Sequence, residues 1–306
     1  KRTLRSLWLG ALALAASSQM AMAAPKPVVP HQAKPAFPTL NLTDRHSHGQ
    51  RAVDLLRDRL PEVAAYYRKS PDEFRNLLLK DRRVKLDQRG RMFVVEELDV
   101  PLSANLAPAS LPGLVDGALQ PLDQTFLLHS RPGAARTIHL NFKGATLTGT
   151  AWNSNSSGGG ATITALPFDL DGAPYTFSAA ELERIQGIWQ RVAEDYAPFN
   201  VNVTTEAPTA DKITRSGSTD TVFGTVALIT SSVGVYNCSC GGVAYVGVYD
   251  DTNNYYKPAL VFYNMLGGGH EKYVAEAITH EAGHNMGLSH DGTTGVGYYG
   301  GHGSGA

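Results

Sequence analysis

Three histidines, a glutamate and an aspartate stand close together near the end of this chain of 306 residues, in the run His280-Glu281-Ala282-Gly283-His284-Asn285-Met286-Gly287-Leu288-Ser289-His290-Asp291. Residues four apart in an α-helix share one face, with Cβ atoms about 6 Å apart. His280 and His284 can therefore offer two imidazoles to adjacent corners of one tetrahedral ion. Gly287 can take a positive φ, stop the helix and turn the chain back. That turn frees His290 to supply a third imidazole. An imidazole-only set suits zinc. Three protein ligands leave a fourth position open for water, the pattern of a catalytic rather than a structural zinc. Glu281, next to His280 on the same turn, can reach that water and take its proton. Ordinary residue frequencies would produce the whole spacing by accident in on the order of one chain of this length in a hundred thousand.

The segment resembles the extended histidine signature of the metzincin zinc endopeptidases. Asp291 directly after the third histidine is similar to the adamalysin/reprolysin branch. Upstream, Gly241-Gly242-Val243-Ala244-Tyr245-Val246-Gly247 resembles the G-x-A-Y-x-G strand of that branch. The likeness covers roughly residues 134–291. It implies a zincin-like α/β (α+β) fold, in which a mixed, twisted sheet of about five strands carries the active-site helix. It also implies one catalytic zinc on His280, His284 and His290, with Glu281 as general base and Gly287 and Asp291 shaping the turn around the ligands. Residues Gly242, Val243, Ala244, Tyr245, Val246 and Gly247 would form the upper edge of the cleft and hold an extended peptide by main-chain bonds. The implied activity is hydrolysis of peptide bonds in proteins or peptides.

Two other classes use the same residues: a catalytically silent zinc-binding or adhesive module, and a metallo-amidase acting on cell-wall peptides. An intact Glu281 speaks against the first. An extended edge strand favours protein substrates over the second. The metzincin pattern also includes a methionine turn after the third histidine, but no methionine follows Met286 here and only sixteen residues follow His290. The expectation is that this turn lies beyond Ala306 in a longer precursor, so that residues 131–306 hold an incomplete catalytic domain.

A scaffold must position these groups. Alternation and β-branched content predict strands over 137–142, 201–204, 222–230, 243–249 and 259–264. Ser178 and Glu181 form a capping-box pattern that opens a helix to about Tyr196, with Leu182, Ile185, Ile188, Trp189 and Val192 on its apolar side. The motif helix spans 271–286. His139, inside the first strand, reads as a satisfied strand histidine. A Ser/Gly/Asn loop falls at 153–160. Asp169-Leu170-Asp171-Gly172 and Asp250-Asp251-Thr252-Asn253-Asn254 are oxygen-rich turns; either could hold a structural calcium, though plain turns explain both, since neither has a full ligand series. Tyr255, Tyr256, Tyr298 and Tyr299 read equally as cleft lining or loop packing.

The first 23 residues have the form of a signal peptide: basic Lys1, Arg2 and Arg5, an apolar stretch from Leu7 to Ala16, and the cleavage pattern Ala21-Met22-Ala23. Secretion follows as the expected localisation. No apolar run reaches about 20 residues, so no transmembrane segment is expected. Residues 24–130 read as a propeptide, or else as an ordinary N-terminal binding domain. They contain an extended linker at 25–44, helical patterns at 51–67 and 71–83, and strand-like stretches at 91–98 and 118–128. This block holds 15 basic and 13 acidic residues, whereas 131–306 holds 9 basic and 15 acidic ones. No basic stripe suggests nucleic acid. The expected partners are protein substrates and the chain's own propeptide. No cysteine precedes Cys238, which excludes a thiolate plug from the propeptide; Asp44, His46 or His48 could take that place, or all three could be solvated linker residues. Cys238 and Cys240, the only cysteines, could pair with each other in an exported protein or with cysteines beyond Ala306.

Overall fold

The computed structural model of the chain describes residues 34–98, 118–155 and 162–290. The signal-peptide pattern, positions 25–33 of the linker, Asp291, Tyr298, Tyr299 and much of the 153–160 loop lie outside them.

The chain opens with β1 (His46–Ser47), then α1 (Gly49–Leu56), α2 (Leu60–Tyr66) and α3 (Pro71–Lys80). Next come β2 (Val84–Asp87) and β3 (Met92–Glu97). The expected helix over 51–67 is broken by a 3-10 turn at Arg57–Arg59, where Arg57 takes a positive φ of 49°. The strand-like stretch at 118–128 folds instead as a 3-10 helix, Leu122–Leu127. Gln186 holds the start of this segment, exchanging hydrogen bonds with the Gln120 main chain.

The second half runs β4 (Arg136–Asn141), β5 (Ala145–Thr148), α4 (Ala151–Asn155), β6 (Thr162–Ala165), α5 (Ala179–Asp195) and β7 (Val201–Thr204). It continues through β8 (Phe223–Thr230), β9 (Cys240–Tyr245) and β10 (Ala259–Phe262) to α6 (Glu271–Asn285). The capping box that opens α5 is formed: Glu181 N donates to Ser178 Oγ and Ser178 N donates to Glu181 Oε2.

Among the described residues one mixed sheet has the order β1-β2-β3-β9-β10-β8-β4-β7, and β5 and β6 form a separate hairpin. This sheet has eight strands where about five are expected; β4, β7, β8, β9 and β10 are the ones read from the sequence. The difference lies at its other end, where β1, β2 and β3, from before residue 98, continue the same sheet past β9. Strands β7, β4, β8 and β10 are parallel, while β9 is antiparallel to both β10 and β3.

Helices α5 and α6 cover one face. Ile185, Ile188 and Val192 of α5 pack with Val274, Ile278 and Ala282 of α6 onto Ile138, Leu140, Ile229 and Val261 of the sheet. The opposite face is closed by Trp152 and Ile163, packed on Leu228, Val243, Tyr245, Leu260, Phe93 and Val95. A third cluster joins α1, α2 and α3 to Met92 and Val94 of β3. Neighbouring β3 residues thus feed opposite faces, as strand geometry requires. Full burial of each such side chain stabilises the attachment by roughly 1.5–3 kcal/mol.

Candidate metal centre

α6 sets His280 and His284 one turn apart, with their Nε2 atoms 2.9 Å from each other. Gly287, with φ of +99°, ends the helix. Leu288 N donates to Gly283 O and Gly287 N to His284 O, satisfying the last carbonyls. The chain then turns back and brings His290 Nε2 to 3.2 Å from His280 Nε2. Ligands at 2.0–2.1 Å from a tetrahedral zinc lie about 3.3 Å from each other, so these separations suit the ion.

The outer ring nitrogens are committed. His284 Nδ1 lies 2.9 Å from Leu288 O, and His290 Nδ1 lies 2.6 Å from Asp81 Oδ2. When Nδ1 donates to such an oxygen, a neutral imidazole turns its Nε2 lone pair inward. A fourth group faces the same point. Glu96 Oε1, from the end of β3, is 2.6 Å from His290 Nε2, 3.2 Å from His280 Nε2 and 3.6 Å from His284 Nε2. Its other oxygen, Oε2, lies 3.5 Å from Arg83 Nε. Glu96, His280, His284 and His290 together could hold a metal ion. Three imidazole nitrogens and a carboxylate oxygen gathered around one point form the donor arrangement that a cation among them satisfies. The donor set therefore fits zinc.

The charges respond to this crowding. Burial pulls the His290 imidazole down, but Asp81 and Glu96 outweigh it and raise the group to about 9. Burial pulls His284 down. Burial opposes the charged form of Glu96, yet hydrogen bonding to the three imidazoles holds its carboxyl well below the usual range. Glu281 is 1% exposed, and neither of its carboxyl oxygens has a hydrogen-bond partner. Burial first, and the charge of Glu96 second, push its carboxyl well above the ordinary value. A buried carboxyl group beside an imidazole cluster is a frequent mark of a functional site.

The residues read as the cleft edge divide into two groups. Gly242, Val243, Ala244 and Tyr245 lie in β9. Val246 lies just past the end of β9, its N–H still donating to Met92 O, and Gly247, expected on the same strand, has left it. Gly247 has φ of +68°, which turns the chain toward the end of α6. There Gly247 N donates to His284 O, and Val248 N and Tyr249 N both donate to Asn285 O. Gly247 thus supports the ligand helix instead of lining an open edge. Among the described residues β9 has no open edge: β10 pairs with one side and β3 with the other.

Other sequence candidates fall away from the centre. Asp44 is paired with Arg51, His46 sits in β1 with its ring edge toward Phe93, and His48 precedes α1 as its N-cap. His139 is buried in β4, where burial, with help from Lys143, lowers it to about 4. Cys238 and Cys240 form a disulfide at the entrance to β9. Asp169, Asp171 and Glu181 cluster, but Asp169 Oδ1 accepts from three main-chain N–H groups and Glu181 accepts from Leu170 N and Ser178 N. These carboxylates do the work of a turn and a helix cap. Asp251 is paired with Arg91, whose guanidinium also covers the Tyr256 ring. Tyr256 and the neighbouring Tyr255, which lies under Arg89, therefore pack against the N-terminal part of the chain.

Motif spacing does not point to Asp81 or Glu96, which stand far upstream of the histidines. The one local signal is a pair of carboxylates, Glu96-Glu97, closing an apolar run.

Residues 193–291, about a third of the chain, match the family described as Metallo-peptidase family M12B Reprolysin-like. The matched stretch runs from the last turn of α5 through all three histidines. It supports a reprolysin-like metallopeptidase, a zinc-dependent hydrolase of proteins or peptides. No curated protein and no solved structure matches the chain.

Proposed function

We propose that this protein is a secreted, zinc-dependent endopeptidase made as a precursor, with Glu281 as its general base. One observation carries the reading: three Nε2 atoms meet within 3.2 Å for the successive pairs His284–His280 and His280–His290, beside a buried carboxyl that has no other partner. A structural metal site needs no such group. His280, His284 and His290 hold the zinc. Zinc at this position supplies a Lewis acid for polarising a peptide carbonyl and activating water.

The chain's own residues do the rest. Glu281 takes a proton on its carboxylate as water attacks, then returns it to the leaving amine. Burial keeps bulk water from competing for that proton. β9 offers the main-chain groups that now pair with Val94 and Val95, and an extended substrate takes their place once that edge is open. Secretion rests on the leader pattern, and removal of the block before about Arg131 rests on its place between that leader and the catalytic part.

Metal analysis of the secreted, mature protein tests the assignment. About one zinc per chain is expected in the wild type, and His284→Ala should lose it. Stoichiometric zinc retained in His284→Ala would falsify the ligand set.

A further inference from the structure

We propose that Glu96 is the fourth ligand of the metal in the intact chain, and that β3 lies where a substrate strand would lie, so that residues 34–98 keep the site closed. The proposal rests on the zinc peptidase reading above and adds its mode of control.

Four observations carry it. Glu96 Oε1 approaches all three inward Nε2 atoms, at 2.6, 3.2 and 3.6 Å, which is the place of a fourth tetrahedral donor. Arg83 Nε lies 3.5 Å from the other oxygen, placing a positive charge behind the carboxylate. The β3–β9 ladder pairs Phe93 with Tyr245, Val94 with Ala244 and Val95 with Val243, then shifts register between Val95 and Glu97. Such irregularities beside active sites re-aim a side chain, and here the one between the shifted pairs is Glu96. Finally, β3 runs antiparallel to β9 and takes its outer edge, the direction and place expected of a bound peptide.

The segment is anchored on both sides of the sheet. Phe93 is fully buried against Tyr245 and Trp152, and Met92 and Val94 pack with α1, α2 and α3. Arg91 adds an ion pair of 2.8 Å to Asp251. A ligand carried on a strand held this firmly stays at the metal. Removing the segment takes away the fourth ligand and opens the β9 edge in one event.

The test uses the intact chain loaded with cobalt(II), whose visible spectrum reports the number and type of ligands, and acetohydroxamate as a small probe of an open metal position. Wild type, Glu96→Gln and Glu96→Asp are compared. Glu96→Asp keeps the charge but shortens the reach, and serves if the glutamine variant does not fold. All should bind one cobalt. The variants should differ from wild type in spectrum and respond to acetohydroxamate at roughly tenfold lower concentration or better, because the competing ligand is gone. Cobalt bound equally in all three, with the same spectrum and the same titration, would overturn Glu96 ligation and leave the peptidase reading standing. Failure of the wild type to bind cobalt or zinc would overturn both.

Discussion

Gly242 of β9 and Glu281 of α6 face each other so closely that a Cβ on Gly242 would land on the Glu281 carboxylate. The absence of a side chain at Gly242 lets the proposed base lie flat under the strand that receives substrate. The metal helix and the cleft edge are thus joined at one contact, and their relative position is set there.

Gly242→Ala should therefore displace Glu281 while leaving the three imidazoles in place. The expected outcome is a loss of kcat on the order of a hundredfold, since misplacement of a reacting group by about 1 Å costs that much, with zinc content unchanged. Paired kinetics and metal analysis of the mature protein check it; activity within a few-fold of wild type would show that the contact does not position the base.

Asp81 acts on the metal through His290. Its Oδ2 lies 2.6 Å from His290 Nδ1 and both side chains are 1% exposed. Asp81→Asn in the intact chain should weaken zinc binding by roughly 10- to 100-fold, the usual effect of removing a carboxylate behind a histidine ligand. Competition with a chelator measures it. An unchanged zinc affinity would mean that the pair is only a packing contact.

Arg91 joins the early strands to the later half of the chain. Its side chain is 7% exposed, pairs with Asp251 and lies over the rings of Phe37, Tyr66 and Tyr256. Arg91→Met leaves the Asp251 charge with only the Tyr66 hydroxyl, 3.3 Å away, which should cost about 2–3 kcal/mol, below the usual penalty for breaking a fully buried pair because Asp251 is partly exposed. Denaturant unfolding should show that loss, and limited proteolysis should cut residues 34–98 more readily. A change below about 1 kcal/mol would place the anchoring elsewhere, in Phe93 and Met92.

The parts of the fold legible in the sequence are those governed by local rules. The capping box at Ser178 and Glu181, the helical spacing of Ile185, Ile188 and Val192, and the strands around Ile138, Val203 and Leu228 all declare themselves within a few residues. The histidine spacing is also local, because one helix and one glycine turn carry it. Pairing across the sheet is not local. The run Met92–Glu97 lacks a clean polar–apolar alternation because β3 is buried on both faces, against Trp152 on one side and α1–α3 on the other. Its partner, β9, is about 150 residues away in sequence. Asp44, His46 and His48 looked equally able to reach the metal as isolated side chains; their elements carry them elsewhere, and Glu96 arrives only because β3 takes the β9 edge. The strand expected over 243–249 ends early at Tyr245 because Gly247 turns the chain back to cap α6.

The most direct measurement is cleavage of casein by the mature, zinc-loaded protein and by its Glu281→Ala variant, with zinc determined in the same samples. The account predicts about one zinc per chain in both and a loss of cleavage of roughly two to four orders of magnitude in the variant, the range for removing a general base. Cleavage within a few-fold of wild type by Glu281→Ala, with zinc retained, would contradict it.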